Sequence, residues 1–132
     1  WISNQPGKAL MNSLRNALNN GVVIADGAMG TMLQDADLSL DDFQGHEGCN
    51  EILNVTRPEV VAAVHREYFE AGSDAVETNT FGANWANLAE YGIEDRIYEL
   101  AFAGARIARK VADDFSTTAS PRWIFGSLGP GT

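Results

Sequence analysis

The sequence predicts an α/β fold built from parallel strand–helix units. Three short runs, at about 22–25, 74–78 and 123–126, have the length and the β-branched or aromatic content of buried strands. Stretches with helical apolar spacing separate these runs. Strands that alternate with helices pair in parallel, because each helix carries the chain back to the edge from which the next strand starts.

The chain begins with a predicted helix at about 9–20. Its apolar residues Leu10, Leu14 and Leu18 recur at helical spacing, and Asn19, Asn20 and Gly21 form a typical stop. The first predicted strand, 22–25, follows directly.

The second helix is predicted to open at Thr56 and to end at Gly72. Thr56 and Glu59 have the spacing of a capping box, and Pro58 suits the first helical turn, whose N–H groups have no helical partner. The second strand, 74–78, comes next. His65 lies within this helix and is interpreted as a structural or solvent-facing residue.

Two further helices are predicted before the third strand. A short helical stretch at 84–91 stops at Gly92, and a longer helix covers about 94–114. Small residues such as Ala101 and Gly104 on the inward stripe of the longer helix favour close packing on a sheet. The third strand, 123–126, then leads into the loop 127–130.

Either an open doubly wound sheet or the start of a (β/α)₈ barrel fits this order of elements. The leading helix favours the barrel, and the absence of a G-x-G-x-x-G pattern disfavours a dinucleotide-binding sheet. In both folds, ligands bind at the carboxyl ends of the strands. Three polar or glycine-rich loops are predicted there, at 26–31, 77–81 and 126–130.

The first of these loops contains the groups needed to bind a zwitterionic amino acid. Asp26 supplies a carboxylate for a cation, and the glycine-containing turn 27–30 offers backbone N–H groups to an anion. The alternative is a tight strand-to-helix turn that binds no ligand.

The second loop adds a polar pair. Strand alternation places Glu77 and Asn79 on one face and Thr78 and Thr80 on the other. The pair is predicted to contact a ligand or to orient Asp26, and the alternative is a hydrogen-bond network that braces the loops. Ser127 in the third loop is a weaker candidate.

Composition excludes several function classes. A net charge of −9 without a Lys/Arg cluster argues against nucleic-acid binding, and no apolar run is long enough to span a bilayer. The single cysteine, Cys49, excludes an internal disulfide and is typical of a reducing compartment, which predicts a cytoplasmic protein. The first residue is Trp1, and the sequence ends in a glycine-rich loop, which predicts a fragment of a longer chain.

Three segments together carry a resemblance to a known family. They are DGAMGTMLQ (26–34), GCNEILNVTRPEVVAAVHREYFEAGSDAVETNTFGAN (48–84) and GSLGPGT (126–132). Their ordered succession closely resembles the N-terminal homocysteine-binding module of cobalamin-dependent methionine synthases. The resemblance covers the chain from about Val22 to its end.

The resemblance implies that residues 1–132 are an incomplete homocysteine-binding domain. About three βα units and a leading helix would form the N-terminal portion of a (β/α)₈ barrel. It also implies methyl transfer from methylcobalamin, and ultimately from 5-methyltetrahydrofolate, to homocysteine, giving methionine. The partners would be homocysteine and the folate, cobalamin and activation modules of the same parent chain.

In this family a zinc ion held by three cysteines binds the homocysteine sulfur. Those cysteines would lie beyond Thr132, so neither zinc nor methylcobalamin is expected to bind this piece alone, and it holds no catalytic residue. Cys49 is interpreted as a plain loop cysteine, not as a metal ligand.

By the resemblance and by charge, Asp26 would bind the homocysteine ammonium and the amides of residues 27–30 its carboxylate. Thr31 would contribute its hydroxyl or cap the following helix. The predicted substrate-binding residues are Asp26, Gly27, Ala28, Met29, Gly30, Thr31, Glu77 and Asn79.

Two alternatives stay open. One is a homocysteine methyltransferase that uses betaine or S-methylmethionine as its donor. The other is an inactive truncated barrel. The isolated 132-residue piece is predicted to lack methyltransferase activity and to aggregate through uncovered strand edges and apolar helix faces.

Overall fold

The computed structural model describes residues 13–131. The α-helices are α1 (Leu14–Asn20), α2 (Gly30–Gln34), α3 (Leu53–Thr56), α4 (Pro58–Glu70), α5 (Trp85–Glu90) and α6 (Ile97–Phe115). The strands are β1 (Ala75–Glu77) and β2 (Trp123–Phe125), and short 3₁₀ turns cover Leu40–Phe43, Asn50–Ile52 and Glu94–Arg96. The predicted α/β class is confirmed.

The two strands pair in parallel, with Val76 opposite Ile124. The crossover between them contains α5 and α6, as the alternation of patterns predicted. The parallel pairing places the carboxyl ends of β1 and β2 at the same edge of the sheet. Both strands are shorter than the predicted 74–78 and 123–126.

The prediction of a buried strand at 22–25 is wrong. This segment makes one parallel bridge, from Ala25 to Ala75, and Val22 is 87% exposed. The Ile24 backbone is nevertheless anchored: its N–H donates to the Asp74 carboxylate at 2.9 Å, and its carbonyl accepts from the Asp74 N–H at 2.7 Å. Within residues 13–131 nothing pairs with the other side of the segment, and Val22 and Ile24 stay exposed to solvent.

Helix α1 confirms the predicted end of the helix 9–20 and its second half. It runs from Leu14 to Asn20, with Gly21 as its C-cap, and the Ser13 hydroxyl accepts from the Asn16 N–H. Residues 9–12 lie outside the described part of the chain.

The predicted capping box at Thr56 is wrong. Thr56 ends α3, and its hydroxyl donates to the Ile52 carbonyl at 3.2 Å, so it does not cap α4. The N-cap of α4 is Arg57, and Pro58 is the first helical residue as predicted. Arg57 pairs with Asp42 at 2.9 Å, which connects the start of α4 to the 3₁₀ turn Leu40–Phe43, and with Glu59 at 2.5 Å within the first turn of α4.

The two remaining helices follow the prediction closely. The Asn84 side chain caps α5 by accepting from the Asn87 N–H at 2.9 Å, and the chain leaves this helix through Gly92 at φ 69°. Such a left-handed conformation favours glycine. Helix α6 begins after a 3₁₀ turn and extends to Phe115.

Two apolar clusters hold these elements together. The larger one packs α3, α4 and α6 around the completely buried residues Leu53, Val61 and Leu100. The smaller one packs α4 and α6 against β1 through Phe69 and Val76. Together they fix the edge at which the strands end.

No helix in residues 13–131 is long and apolar enough to cross a membrane.

His65 is completely buried in α4, so the solvent-facing interpretation is wrong and the structural one is confirmed. Neither ring nitrogen has a hydrogen-bond partner among the described residues. Burial lowers the pKa of His65 from 6.5 to about 4. The neutral imidazole therefore acts as a core side chain.

This burial predicts a loss of stability at mildly acidic pH. Between pH 6.5 and 4 the unfolded chain binds a proton that the folded core excludes, so stability falls as the pH is lowered through that window. We expect a loss of about 2 kcal/mol between pH 7 and pH 5. Denaturant unfolding of the parent protein at both pH values measures it. His65→Leu should reduce this pH dependence by that amount, and an unchanged pH dependence in the variant would contradict the assignment.

Candidate functional site

A cavity of about 310 Å³ lies at the carboxyl edge of the sheet. It is bordered by all three predicted loops and by residues 50–51, which were not predicted to lie at the site. Its lining residues are Asp26, Gly27, Met29, Gly30, Asn50, Glu51, Glu77, Thr78, Asn79, Thr80, Phe81 and Ser127.

Asp26 lines this cavity and has one unsatisfied carboxylate oxygen. Its Oδ2 accepts the Glu77 N–H at 3.0 Å, whereas its Oδ1 is buried and has no partner among residues 13–131. Burial raises the pKa of Asp26 to about 6; the nearby Glu77 carboxylate adds to the rise, and the Glu77 N–H opposes it. A bound cation would restore the missing partner, and it would lower the pKa of Asp26.

The N–H groups of residues 27–30 form the second half of the site. None of the four finds an acceptor within the described part of the chain. Gly27, Met29 and Gly30 border the cavity, whereas Ala28 does not. Free amides of this kind suit an anionic group.

Thr31 lies outside the lining of the cavity and is exposed. It is the second residue of α2, whose N-cap is Met29, so the predicted capping role of Thr31 is wrong.

Tyr68 of α4 supports this loop without lining the cavity. Its hydroxyl donates to the Ala28 carbonyl at 2.8 Å. A methyl group on Gly27 would lie 3.1 Å from that hydroxyl oxygen, so the loop and the ring are in close contact.

Glu77 and Asn79 both border the cavity but differ in their surroundings. Glu77 is exposed, and its backbone N–H holds Asp26. Asn79 is buried, and its amide group donates to the Asn50 carbonyl at 2.9 Å and to the Asn54 side chain at 3.0 Å. Asn79 therefore takes part in a bracing network, which was the alternative interpretation of the pair, whereas Glu77 holds Asp26 through its backbone.

The threonines beside Asn79 link the second loop to the third. The Thr78 and Thr80 hydroxyls lie 2.6 Å apart. Thr80 donates to the Ser127 carbonyl at 2.9 Å, and the Ser127 N–H donates to Thr78 at 3.0 Å. Ser127 thus contributes through its backbone, and its side chain is not needed for this link.

Sequence reasoning missed Asn50 and Glu51. Glu51 is buried at 7% exposure, accepts the Gly82 N–H at 2.7 Å and also accepts from the Cys49 thiol at 3.7 Å. Its signal in the sequence is an acidic residue directly before the apolar pair Ile52–Leu53, which suggests a buried carboxylate.

The described residues do not offer a metal site. No group of three His, Cys, Asp or Glu side chains in residues 13–131 is close enough to hold a metal ion. Burial and the Glu51 charge raise the pKa of the Cys49 thiol to about 11. A protonated, buried thiol that donates to a carboxylate is a poor metal ligand.

Comparison with known proteins assigns the chain to a family. Residues 23–132 match the family model of homocysteine S-methyltransferases. The chain belongs to the homocysteine S-methyltransferase family. The match includes every residue that lines the cavity.

Among curated proteins, this family member is similar to the methionine synthases of Mycobacterium tuberculosis and Mycobacterium leprae. The identities are 59% and 58%, each over 119 residues and 90% of the chain. The chain spans about a tenth of the length of these relatives, 10% in each case.

Among solved structures, the family member is similar to the Escherichia coli homocysteine methyltransferase MmuM. The TM-score is 0.70 with the metallated form and 0.69 with the oxidised form, at 28% and 27% identity. The match covers 89% of this chain and about two fifths of the other, 41% and 40%.

Proposed function

We propose that this chain is the homocysteine-binding part of a methionine synthase. The parent enzyme would transfer a methyl group from methylcobalamin, and ultimately from 5-methyltetrahydrofolate, to homocysteine, giving methionine. The observation that carries the proposal is the unpartnered Asp26 Oδ1 beside the free amides of residues 27–30. The similarity to two methionine synthases supports it.

The chemistry of the cavity fits the amino-acid end of homocysteine. The ammonium would donate to Asp26, and the carboxylate would accept from the loop amides. Because the pKa of Asp26 is about 6, the carboxylate is mostly ionised at neutral pH before any ligand arrives. The Asn79 side-chain oxygen receives no hydrogen bond within residues 13–131, so it is a further acceptor at the cavity.

The proposed cofactors belong to other parts of the parent protein. Zinc, when bound, supplies a stabilised thiolate at neutral pH. The described residues do not fit a zinc site, because the cavity presents carboxylates and amides and the nearby Cys49 is a hydrogen-bonded thiol. The residues of this chain would bind and orient the substrate.

We further propose that the chain is the first portion of a (β/α)₈ barrel, with residues 1–132 an incomplete domain. The adjacent order of segment 22–25, β1 and β2, with helices in the crossovers, supports this architecture. The partners would be homocysteine and the other modules of the parent chain. The cytoplasmic location stays a prediction from the single cysteine.

Donor dependence of the purified parent protein tests the proposed activity. We expect homocysteine to be methylated with methylcobalamin or with 5-methyltetrahydrofolate plus cobalamin. Methylation with betaine or S-methylmethionine alone would instead support the other homocysteine methyltransferases. Failure of titration calorimetry to detect homocysteine binding would contradict the proposal whatever the donor.

The isolated chain is expected to be inactive and to self-associate. Large apolar side chains are exposed in the described residues, among them Val22, Trp85, Tyr98, Phe102 and Leu128. Apolar patches and unpaired strand edges promote association. Analytical ultracentrifugation of the 132-residue chain should show species larger than the monomer. A monomer that unfolds cooperatively, or one that methylates homocysteine, would contradict this expectation.

A further inference from the structure

The contact between Tyr68 and the loop fixes the direction of one peptide group. The Tyr68 hydroxyl donates to the Ala28 carbonyl at 2.8 Å, and no peptide bond in the described residues is cis. In a trans peptide the C=O and the next N–H point in opposite directions. The Met29 N–H therefore points away from Tyr68.

Met29 borders the cavity, whereas Tyr68 does not. The Met29 N–H has no acceptor among residues 13–131. A peptide anchored through its carbonyl on one side and free to donate on the other is a preorganised anion donor, because no reorganisation is needed when the anion arrives.

We propose that Tyr68 is a positioning residue that holds the Met29 N–H toward the substrate carboxylate through its hydrogen bond to the Ala28 carbonyl. The inference rests on the proposed function, because the carboxylate concerned is that of homocysteine. Tyr68 itself touches no substrate. Burial and the nearby Asp26 charge raise the pKa of Tyr68, so the hydroxyl remains a donor at neutral pH.

The site thus contains two separable recognition elements. Asp26 recognises the ammonium, and the Tyr68-anchored peptide recognises the carboxylate. Each can be tested with a substrate analogue that lacks the matching group. 3-Aminopropane-1-thiol is homocysteine without its carboxylate, and 4-mercaptobutanoate is homocysteine without its ammonium.

The test is Tyr68→Phe in the parent enzyme, with Tyr98→Phe as the matched control on the exposed face of α6. Tyr68→Phe should raise the KM for homocysteine about tenfold and leave kcat nearly unchanged, because it removes one oriented donor to a charged group. The inhibition constant of 3-aminopropane-1-thiol should change less than about twofold. Tyr98→Phe should change neither value.

A second variant keeps the test informative if Tyr68→Phe shifts the loop as a whole. Gly27→Ala places a methyl group 3.1 Å from the Tyr68 hydroxyl but 3.5 Å or more from the ring carbons. It should therefore weaken homocysteine binding in the wild-type background and weaken it less in the Tyr68→Phe background.

Three outcomes would overturn the inference. An unchanged KM for homocysteine in Tyr68→Phe is one, and equal weakening of homocysteine and 3-aminopropane-1-thiol is another. Additive effects of Gly27→Ala and Tyr68→Phe are the third. In these cases the wild-type enzyme still binds homocysteine, and the proposed function stands. A wild-type parent enzyme that homocysteine does not saturate overturns the proposed function and this inference together.

Discussion

Asp26→Asn is expected to weaken homocysteine binding about a hundredfold, or ~2.7 kcal/mol. The variant keeps an oxygen that can accept the Glu77 N–H, which in the wild type lies 3.0 Å from Oδ2. It loses the charge at Oδ1, the oxygen without a partner in the described structure. The ammonium of homocysteine would then face a neutral amide. Titration calorimetry on the parent enzyme measures the change.

The same substitution should stabilise the fold at neutral pH. Folding raises the pKa of Asp26 from 3.8 to about 6, so the folded state holds the proton more tightly than the unfolded chain does. The resulting stabilisation is complete below pH 3.8 and is lost as the pH rises through 6. Above pH 6 the folded state contains an ionised carboxylate that it accommodates poorly, and asparagine removes that penalty. We expect a gain of about 1 kcal/mol at pH 7, after allowance for partial exposure.

Asp113→Asn is the matched control for this pair of effects. Asp113 is exposed on α6 and pairs with Arg109 at 2.8 Å, away from the cavity. It should leave homocysteine binding unchanged and change stability by less than about 0.5 kcal/mol. Wild-type affinity in Asp26→Asn would show that the ammonium binds elsewhere. A loss of stability at pH 7 would contradict the pKa argument.

Gly104→Ala is expected to destabilise the protein by about 2 kcal/mol although alanine is the better helix former. A methyl group on Gly104 in α6 would lie 2.7 Å from the Thr80 Cγ2 and 2.8 Å from the Asn54 Nδ2. Neither side chain can easily move. Thr80 is bonded to Thr78 and to the Ser127 carbonyl, and Asn54 donates to the carbonyls of Asn79 and Leu100.

The displacement would reach the cavity, because Thr80 and Asn79 line it. A higher KM for homocysteine should therefore accompany the lower unfolding midpoint. Gly21→Ala is the control, since nothing lies within 4 Å of a methyl group there and the backbone is extended at φ 171°. A Gly104→Ala variant as stable as Gly21→Ala would mean that α6 shifts outward at little cost.

The helices were predictable because their signals are local. The apolar stripe of α6, the proline at the start of α4 and the glycine after α5 are each readable from a few neighbouring residues. Thr56 shows the limit of this reasoning. Its spacing to Glu59 matches a capping box, but the preceding turn Leu53–Thr56 is itself helical, so the Thr56 hydroxyl bonds backward to Ile52.

The candidate site was predictable to the extent that strand ends converge. The parallel bridge from Ala25 to Ala75 is enough to bring Asp26 beside Glu77, and the structure joins the two residues by a hydrogen bond. Glu51 reaches the cavity from an irregular segment with a 3₁₀ turn, which has no periodicity to reveal its direction. The exposure of residues 22–25 could not be predicted either, because an apolar run indicates a tendency to be buried and not which part of the protein covers it.

The one-sided attachment of segment 22–25 affects the order in which parts of the molecule lose structure. The segment is held by hydrogen bonds between Ile24 and Asp74, and the loop 26–31 that follows it is held by hydrogen bonds from Glu77 and Tyr68. Val22 and Ile24 themselves bury little apolar surface. Regions with few buried apolar contacts open at a lower free energy than the core. On warming, the segment 22–25 and the loop 26–31 that would bind the substrate should thus loosen while α4 and α6 remain packed. A ligand bound in the cavity should delay that loosening.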